Sequence, residues 1–541
     1  MNLRGALLAA GAALLALTGP ALAAAGPVAR APVGAVEGRL DGTVEVFKGI
    51  PYAQPPVGQA RWRPPTAAPD WQGVRKATAF GAACVQPVAA PGGIYEDPIP
   101  PMSEDCLSLN VWTPKGAAKA PVLVWIHGGA LTTGASAEAM YDGRKLAERG
   151  VVVVSINYRL GVLGWLAHPG LSAESAGGVS GNYGLLDQIE ALRWVRRNIA
   201  AFGGDAANVT IAGESAGGLS VMYLMASPPA RGLFAKAIAE SAYMISTPEL
   251  KAPAHGHPSA EQSGLALADK LKSPDIAALR AMDAQALTRA AAAAGFAPFG
   301  AVDGKVLAGQ LVDVFDRGQQ APVPILAGFN AGEIRSLRML AARPPASAAI
   351  YEAAIRERYR DLADAYLRLY PPTNLEESIL AATRDGLYGW TAERLAAKQT
   401  AIGQPAYLYL FDHGYPDADF AGLHAFHASE LPYVFGTADR VGPHWPKPPR
   451  ADAEQRLSQA MIGYWTSFAK TGAPTAEGQP AWPAYDRSRA YMAFRDAPRP
   501  ADGLMPGMYD LHEEVIRRRR AAGDQPWNWN VGLWSPVLPG R

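Results

Sequence analysis

The chain has 541 residues, and 50 lysines and arginines against 49 aspartates and glutamates leave a formal net charge of +1. Apolar residues make up 49% and charged residues 18%, a balance that excludes an intrinsically disordered chain. The near-neutral charge gives no electrostatic basis for binding nucleic acid or an anionic membrane surface. Two cysteines are too few for a disulfide-framework fold or a multi-cysteine metal site.

The first 23 residues have the pattern of a secretory signal peptide. Arg4 precedes an apolar run over residues 6–17, and a small-x-small ending follows at 21–23. The run is shorter than the roughly 20 residues that span a bilayer, and no later segment is long enough to do so. We predict cleavage after Ala23, export to the periplasm or the medium, and one mature domain over residues 24–541.

Export affects how Cys84 and Cys106 are interpreted. In an oxidising compartment the two thiols are expected to form a disulfide, and the alternative is a pair of buried free thiols. The segment between them carries five prolines and two glycines. It is therefore predicted to be a stiff loop without helix or strand.

Six short apolar segments bounded by turn residues are predicted to be buried strands of a parallel sheet. They are residues 121–126, 151–156, 208–212, 235–239, 323–327 and 406–411. Helical patterns alternate with them, and the helix predicted over 187–201 has one apolar face, formed by Ile189, Leu192, Val195 and Ile199. This alternation predicts an α/β fold with a mostly parallel central sheet and helices on both faces.

Residues 259–319 and 341–398 are rich in alanine and helical in pattern. We interpret them as helical insertions over the strand ends, because no linker or repeat divides the chain into two domains. The tail carries four arginines at 517–520, followed by Trp527, Trp529 and Trp534. This pattern is interpreted as a solvated helix end followed by an aromatic segment that packs on the rest of the protein.

The predicted strand at 208–212 leads directly into Gly213-Glu214-Ser215-Ala216-Gly217, and a helical pattern follows. This is a G-x-S-x-G motif in the strand–turn–helix context of a nucleophile elbow. The small residues at 213 and 217 allow a tight turn, and the positive end of the helix dipole lies below the serine. Ser215 is therefore predicted to be a nucleophile.

A nucleophilic serine requires a base and a third group that orients the base. In this fold they follow the serine in the order acid, then histidine. Glu333, which stands shortly after the predicted strand at 323–327, is the candidate acid. His424 and His427 both follow a later strand, and their spacing alone does not choose between them.

The predicted strand at 121–126 is followed by His127-Gly128-Gly129-Ala130, an HGGG-type turn with alanine in its last place. Residues without bulky side chains let backbone N–H groups approach a developing negative charge. The N–H groups of Gly129, Ala130 and Ala216 are predicted to form an oxyanion hole, in which one donor is worth roughly 3 kcal/mol in the transition state.

Together these segments resemble the type-B carboxylesterase/lipase family of α/β-hydrolases, in character closest to bacterial carboxylesterases and p-nitrobenzyl esterases. The resemblance runs from about residue 36 to residue 494 and includes the blocks at 47–53, 104–110, 157–161, 181–188 and 202–205. It implies an α/β-hydrolase fold and a serine carboxylesterase acting on a small-molecule ester, without metal or cofactor.

The family motifs also imply roles for individual residues. The catalytic histidine of the family opens an H-x-x-E-x-x-(F/Y)-V-F-G segment, which here starts at His427. The acid is the glutamate of G-x-N-x-x-E, which here is Glu333. Cys84 and Cys106 match the first disulfide loop of the family. Glu214 and Ser241 match positions in the hydrogen-bond network behind the triad.

Some positions depart from the family pattern. Gly332 stands where an acidic residue often precedes the catalytic glutamate, and Ile334 stands where glycine usually follows it. Tyr95 is the only aromatic residue between the two cysteines, which argues against a choline-selective site. Two alternatives stay open. One is the same mechanism acting on a specialised ester, carbamate, amide or polyester, and the other is a non-catalytic recognition protein. No pattern indicates the number of subunits.

Overall fold

The computed structural model describes residues 26–88, 91–527 and 530–540. The predicted signal peptide, with its cleavage point after Ala23, lies outside these residues. Among them, no helix combines the length and the apolar character that crossing a membrane requires.

Most strands of the described residues belong to one mixed sheet of 11 strands. The strands are β1 (Val28–Ala31), β2 (Gly34–Glu37), β3 (Arg39–Asp41), β4 (Val44–Pro51), β5 (Val74–Lys76), β6 (Ala83–Cys84), β7 (Met102–Ser103), β8 (Ser108–Pro114), β9 (Ala120–Ile126), β10 (Val152–Ile156), β11 (Gly204–Glu214), β12 (Lys236–Glu240), β13 (Ile325–Asn330), β14 (Ala406–Phe411), β15 (Ala490–Phe494) and β16 (Pro498–Asp502). The order in the large sheet is β16-β15-β14-β13-β12-β11-β9-β10-β8-β4-β3.

The centre of the large sheet is parallel, from β10 through β9, β11, β12, β13 and β14 to β15. Antiparallel pairs extend it at both edges, through β8, β4 and β3 on one side and β16 on the other. Two small sheets, β1-β2-β5 and β6-β7, accompany it. The six predicted strands are confirmed as β9 to β14, with bounds shifted by a few residues.

Helices connect the parallel strands and fill the two predicted insertions. They are α1 (Arg144–Ala147), α2 (Gly161–Trp165), α3 (Pro169–Glu174), α4 (Tyr183–Asn198), α5 (Ala216–Ala226), α6 (Ala260–Lys270), α7 (Ile276–Ala281), α8 (Ala284–Ala293), α9 (Leu311–Asp316), α10 (Ala348–Tyr359), α11 (Ala363–Leu369), α12 (Leu375–Arg384), α13 (Trp390–Ala401), α14 (Pro416–Phe420), α15 (Leu431–Val434), α16 (Asp452–Thr471) and α17 (Met508–Ala522). The helix predicted over 187–201 is confirmed as α4 and the short 3₁₀ turn after it, and its predicted apolar face is fully buried.

The central strands are buried on both faces, as β9 shows. Val122, Val124 and Ile126 pack into one hydrophobic cluster, while Leu123 and Trp125 pack into a second one on the opposite face. Because successive strand side chains point to opposite faces, a strand covered on both sides consists of apolar residues throughout. This burial explains why the six central strands are recognisable in the sequence, and it confirms the predicted α/β fold.

Cys84 and Cys106 form a disulfide, which confirms the predicted pairing. The prediction that the enclosed segment lacks any strand is wrong in one detail. Strand β7 lies inside the loop and pairs in parallel with β6, which ends at Cys84. The sequence of this proline-rich segment does not indicate the two-residue strand, because the strand forms only by pairing with β6.

The prediction of a solvated helix end at 517–520 is also wrong. Arg518 and Arg519 are buried, and Arg518 forms an ion pair with Asp361. Arg519 donates hydrogen bonds to the carbonyl oxygens of Trp527 and Asn530 and, at 2.5 Å, to Ser535 Oγ. The buried indole of Trp527 confirms that the tail packs on the protein, whereas Trp529 lies outside the described residues.

Replacement of Arg519 should therefore destabilise the fold. Arg519→Met keeps the aliphatic stem but leaves buried acceptors without a donor, and the free energy of unfolding should fall by about 3 kcal/mol. Arg517→Met is the matched control, because Arg517 is exposed and pairs only with Glu514 on the same helix. Its effect should stay within about 0.5 kcal/mol. Urea unfolding measures both, and equal effects would contradict the interpretation.

Candidate active site

Ser215 occupies a sharp turn between β11 and α5. Its backbone has φ 57° and ψ −120°, a strained conformation for a residue with a side chain. The turn is held by the Ser215 N–H, which donates to the Glu240 carbonyl at 3.0 Å. A Cβ on Gly217 would lie 2.0 Å from the Ile126 carbonyl oxygen, so only glycine fits there. The predicted strand, tight turn and helix are thus all present.

Glu333 and His427 are paired in the protein interior. Glu333 lies in a 3₁₀ turn directly after β13, and its Oε2 is hydrogen-bonded to His427 Nδ1. The other oxygen, Oε1, accepts from Ser241 Oγ at 2.6 Å and from the Asn330 N–H at 2.8 Å. The carboxylate is completely buried, but every one of these contacts supplies a hydrogen to it. These contacts hold the carboxyl group in place, and its bond to Nδ1 fixes the direction of the imidazole.

The loops that carry the acid and the base lie directly against each other. The Gly332 N–H donates to the Ala425 carbonyl at 2.7 Å, and the Asn330 side chain donates to the Phe426 carbonyl at 2.8 Å. A Cβ on Gly332 would come within 2.8 Å of the carbonyl oxygens of Leu423 and Ala425. The glycine that departs from the family pattern is thus explained by this close approach.

The second imidazole nitrogen faces the residue before the serine. His427 Nε2 lies 3.1 Å from Glu214 Oε1, although the two groups are not aligned for a hydrogen bond. No hydrogen bond joins Ser215 Oγ to His427 in the described part of the chain. Catalytic hydrogen bonds are often long or misaligned before substrate binds and form in the complex.

Three further carboxyl groups are buried near this pair. Burial, followed by the charge of Glu333, raises the pKa of Glu214 well above its usual value, and burial with the neighbouring glutamates does the same for Glu430. Burial also raises the pKa of Glu240 to about 8, although the Trp465 indole N–H donates to it at 2.9 Å. Burial thus favours the protonated form of each of these three carboxyl groups.

The predicted oxyanion turn lies against Ser215. A Cβ on Gly128 would be 3.2 Å from Ser215 Cβ, and Gly129 and Ala130 both have positive φ. Among the described residues, the N–H groups of Gly129, Ala130 and Ala216 make no backbone hydrogen bond. They are free to bind a substrate oxygen. Their role as an oxyanion hole stays a prediction.

His127 packs within this turn. Its ring stacks on Tyr158 at 4.5 Å, and the Tyr158 hydroxyl donates to the His127 carbonyl at 2.9 Å. Burial lowers the pKa of His127 to about 4, so the ring is neutral at neutral pH. It is a structural residue of the turn.

Several site neighbours were not identified from the sequence. Tyr388 lies on a π-helical turn, Asp385–Gly389, between α12 and α13, and its ring is 5.4 Å from that of His427. Such turns are frequent at functional sites. Tyr243 packs on Tyr388, and Tyr95 of the disulfide loop also reaches His427. Glu430 is part of the histidine motif, and Glu240 directly follows the predicted strand at 235–239, but only their contacts reveal their location.

His424 lies apart from this group. Its two ring nitrogens contact Asp412 and Asp419, and the side chain is 40% exposed. These aspartates raise the pKa of His424, with Asp412 the larger cause. In the part of the chain described here, no cluster of three or more histidine, cysteine or acidic residues could hold a metal ion.

Sequence comparisons show which family and which known proteins the chain is similar to. A family model described as the carboxylesterase family matches residues 25–510. The chain is 38% identical to fumonisin B1 esterase of Sphingopyxis macrogoltabida over 489 residues, 87% of each protein. It is 38% identical to the para-nitrobenzyl esterase of Bacillus subtilis over 84% of this chain and 91% of that protein. It is 33% identical to human cocaine esterase over 97% of this chain and 98% of that enzyme.

Solved structures show the same similarity. A PNB esterase superimposes with a TM-score of 0.78 at 35% identity and covers 90% of this chain and 99% of its own. The Geobacillus stearothermophilus carboxylesterase EST55 has a TM-score of 0.72 at 33% identity, with the same coverage.

The buried carboxyl group of Glu240 should make stability fall with rising pH. The folded chain keeps this proton up to about pH 8, whereas the unfolded chain releases it near the ordinary value of 4.5. Stability is therefore lost as the pH rises through this interval. Between about pH 6 and about pH 9, the free energy of unfolding of the native chain should fall by on the order of 2 kcal/mol more than that of Glu240→Gln. The variant has no proton to release at this position.

Urea unfolding at the two pH values measures this difference. Glu477→Gln, at an exposed position, is the matched control and should follow the native chain. If Glu240→Gln lost as much stability as the native chain, Glu240 would not retain its proton in the fold.

Proposed function

The chain belongs to the carboxylesterase family, and we propose that this ester hydrolase acts through an acyl-enzyme on Ser215, with His427 as base and Glu333 as the orienting acid. The fold is that of the α/β-hydrolases. The single observation that carries the proposal is the buried hydrogen bond from His427 Nδ1 to Glu333, which leaves Nε2 directed toward the Glu214–Ser215 turn.

In the proposed reaction, His427 Nε2 takes the hydroxyl proton as Ser215 Oγ attacks the ester carbonyl carbon. Glu333 accepts the Nδ1–H and stabilises the imidazolium. The tetrahedral intermediate then breaks its bond to the alcohol oxygen, which receives the proton from His427. A water molecule, deprotonated by His427, attacks the acyl group and releases the acid, so that Ser215 regains its proton.

The oxyanion of each tetrahedral intermediate needs fixed hydrogen-bond donors. The N–H groups of Gly129, Ala130 and Ala216 fill this role in the proposal. Their turn is rigid because Tyr158 holds the His127 carbonyl and because Gly128 lies against Ser215. Preorganised donors stabilise the transition state without reorganising during the reaction.

Glu214 has a defined part in this scheme because it lies closest to Nε2. A charged carboxylate at 3.1 Å would hold the imidazolium and hinder transfer of its proton to the leaving alcohol. Burial and the charge of Glu333 instead raise the pKa of Glu214 well above its usual value, which favours the neutral carboxyl.

Ser215→Ala should abolish esterase activity. We expect kcat for p-nitrophenyl acetate to fall by at least about 10⁴-fold, because no other residue supplies the nucleophile. The native chain should also react stoichiometrically with a fluorophosphonate probe at Ser215, as a non-catalytic recognition protein would not. His424→Ala is the matched control and should keep most of the activity, since that ring contacts Asp412 and Asp419 instead. Substantial turnover by Ser215→Ala would disprove the assignment.

We further propose that the protein is exported and cleaved after Ala23. The charged start, short apolar run and small-residue ending support this, and so does the disulfide, which is typical of oxidising compartments. In a Gram-negative host, the full chain should be recovered outside the cytoplasm with Ala24 as its first residue. A chain without residues 2–23 should remain in the cytoplasm. Mass spectrometry of an uncleaved, cytoplasmic full chain would refute export.

A further inference from the structure

Tyr95, in the loop between Cys84 and Cys106, contacts the proposed site. The Tyr95 hydroxyl lies 3.0 Å from the His427 carbonyl oxygen and 2.7 Å from Ser336 Oγ. A phenol has one proton, so Tyr95 donates to His427 and accepts from Ser336. Ser336 stands three residues after Glu333. One hydroxyl therefore joins the loop of the base to the loop of the acid.

The ring of Tyr95 is fixed by aromatic neighbours. It meets the His427 imidazole edge-on at 6.5 Å and Trp445 edge-on at 5.9 Å. Trp445 in turn packs on Phe426, the residue before His427, at 4.8 Å. The side chain of Tyr95 is nevertheless 44% exposed, so it adds little to the hydrophobic core. Its contacts serve the position of His427 more than the stability of the fold.

The opposite end of the same loop reaches the oxyanion turn. The Gln86 side chain donates to the Gly134 carbonyl at 3.0 Å and accepts from the Gly134 N–H at 2.9 Å. Gly134 lies against His127, where a Cβ would come within 2.4 Å of the ring. The disulfide loop thus contacts both the turn that carries the oxyanion donors and the loop that carries the base.

We infer that this loop is a brace for the site and that Tyr95 is a positioning residue, which holds the main chain of His427 so that Nε2 can reach Ser215. The inference rests on the proposed function of His427. The disulfide limits the movement of the loop, and Tyr95 transmits that restraint to the base. Tyr95 thus holds the main chain of His427 through its carbonyl, while Glu333 holds the imidazole through Nδ1.

The test is a kinetic cycle with p-nitrophenyl acetate. Tyr95→Phe removes only the hydroxyl, and we expect kcat to fall about fivefold with KM nearly unchanged, as for the loss of one neutral hydrogen bond. Removing the disulfide by Cys84→Ser with Cys106→Ser should lower kcat similarly. Combining the three substitutions should lower it no further, because both changes release the same restraint. Tyr491→Phe, a half-buried tyrosine on β15, is the matched control and should retain the native kcat.

Several outcomes would overturn the inference. They are a native kcat in Tyr95→Phe, an equal loss in Tyr491→Phe, or fully additive losses from Tyr95→Phe and disulfide removal. If the cysteine variant does not fold, reduction of the intact protein with a phosphine replaces it. Fluorophosphonate labelling of the native chain keeps the two proposals apart. Absence of label on Ser215 refutes the proposed function, whereas normal labelling with an unaffected Tyr95→Phe refutes only the brace.

Discussion

The structure depends on a close approach of three backbone segments below Ser215. The end of β9, the end of β11 and the start of α5 meet where the Ile126 carbonyl occupies the space of a side chain at Gly217. The turn after β9 therefore lies beside the serine. No larger residue at Gly217 could keep this arrangement, since the obstacle is backbone and cannot rotate away.

A second constraint is electrostatic. A cluster of carboxyl groups is buried around one imidazole, and their mutual repulsion allows only some of them to ionise. Hydrogen-bond donors are distributed unevenly among these groups. Glu333 accepts hydrogen bonds from Ser241, Asn330 and His427, whereas one oxygen of Glu214 and one of Glu430 have no partner among the described residues. The donors are thus concentrated on the carboxyl group that is bonded to His427.

Sequence patterns predicted the features that local chemistry controls. The central strands are continuous apolar runs because both faces are covered, and the serine turn and the glycine-rich turn have short, characteristic motifs. The edge strands, such as β3 and β16, were not identified because they are short and largely exposed and depend on their neighbours for pairing. The role of Tyr388 depends on a π-helical turn and that of Arg519 on a distant tail, and neither leaves a local pattern. Family motifs, not spacing, favoured His427 over His424. The ring of His427 pairs with Glu333, whereas that of His424 contacts Asp412 and Asp419.

Helix α5 has a consequence for the order in which the protein assembles. Every residue from Ala216 to Ala226 is buried, so this helix has no polar face to present to water. In an incomplete fold it would expose apolar surface along its whole length, and its formation is favourable only once the sheet and the layers around it are in place. The serine turn is the start of this helix. We therefore expect the strained turn at Ser215 to form together with the completed core.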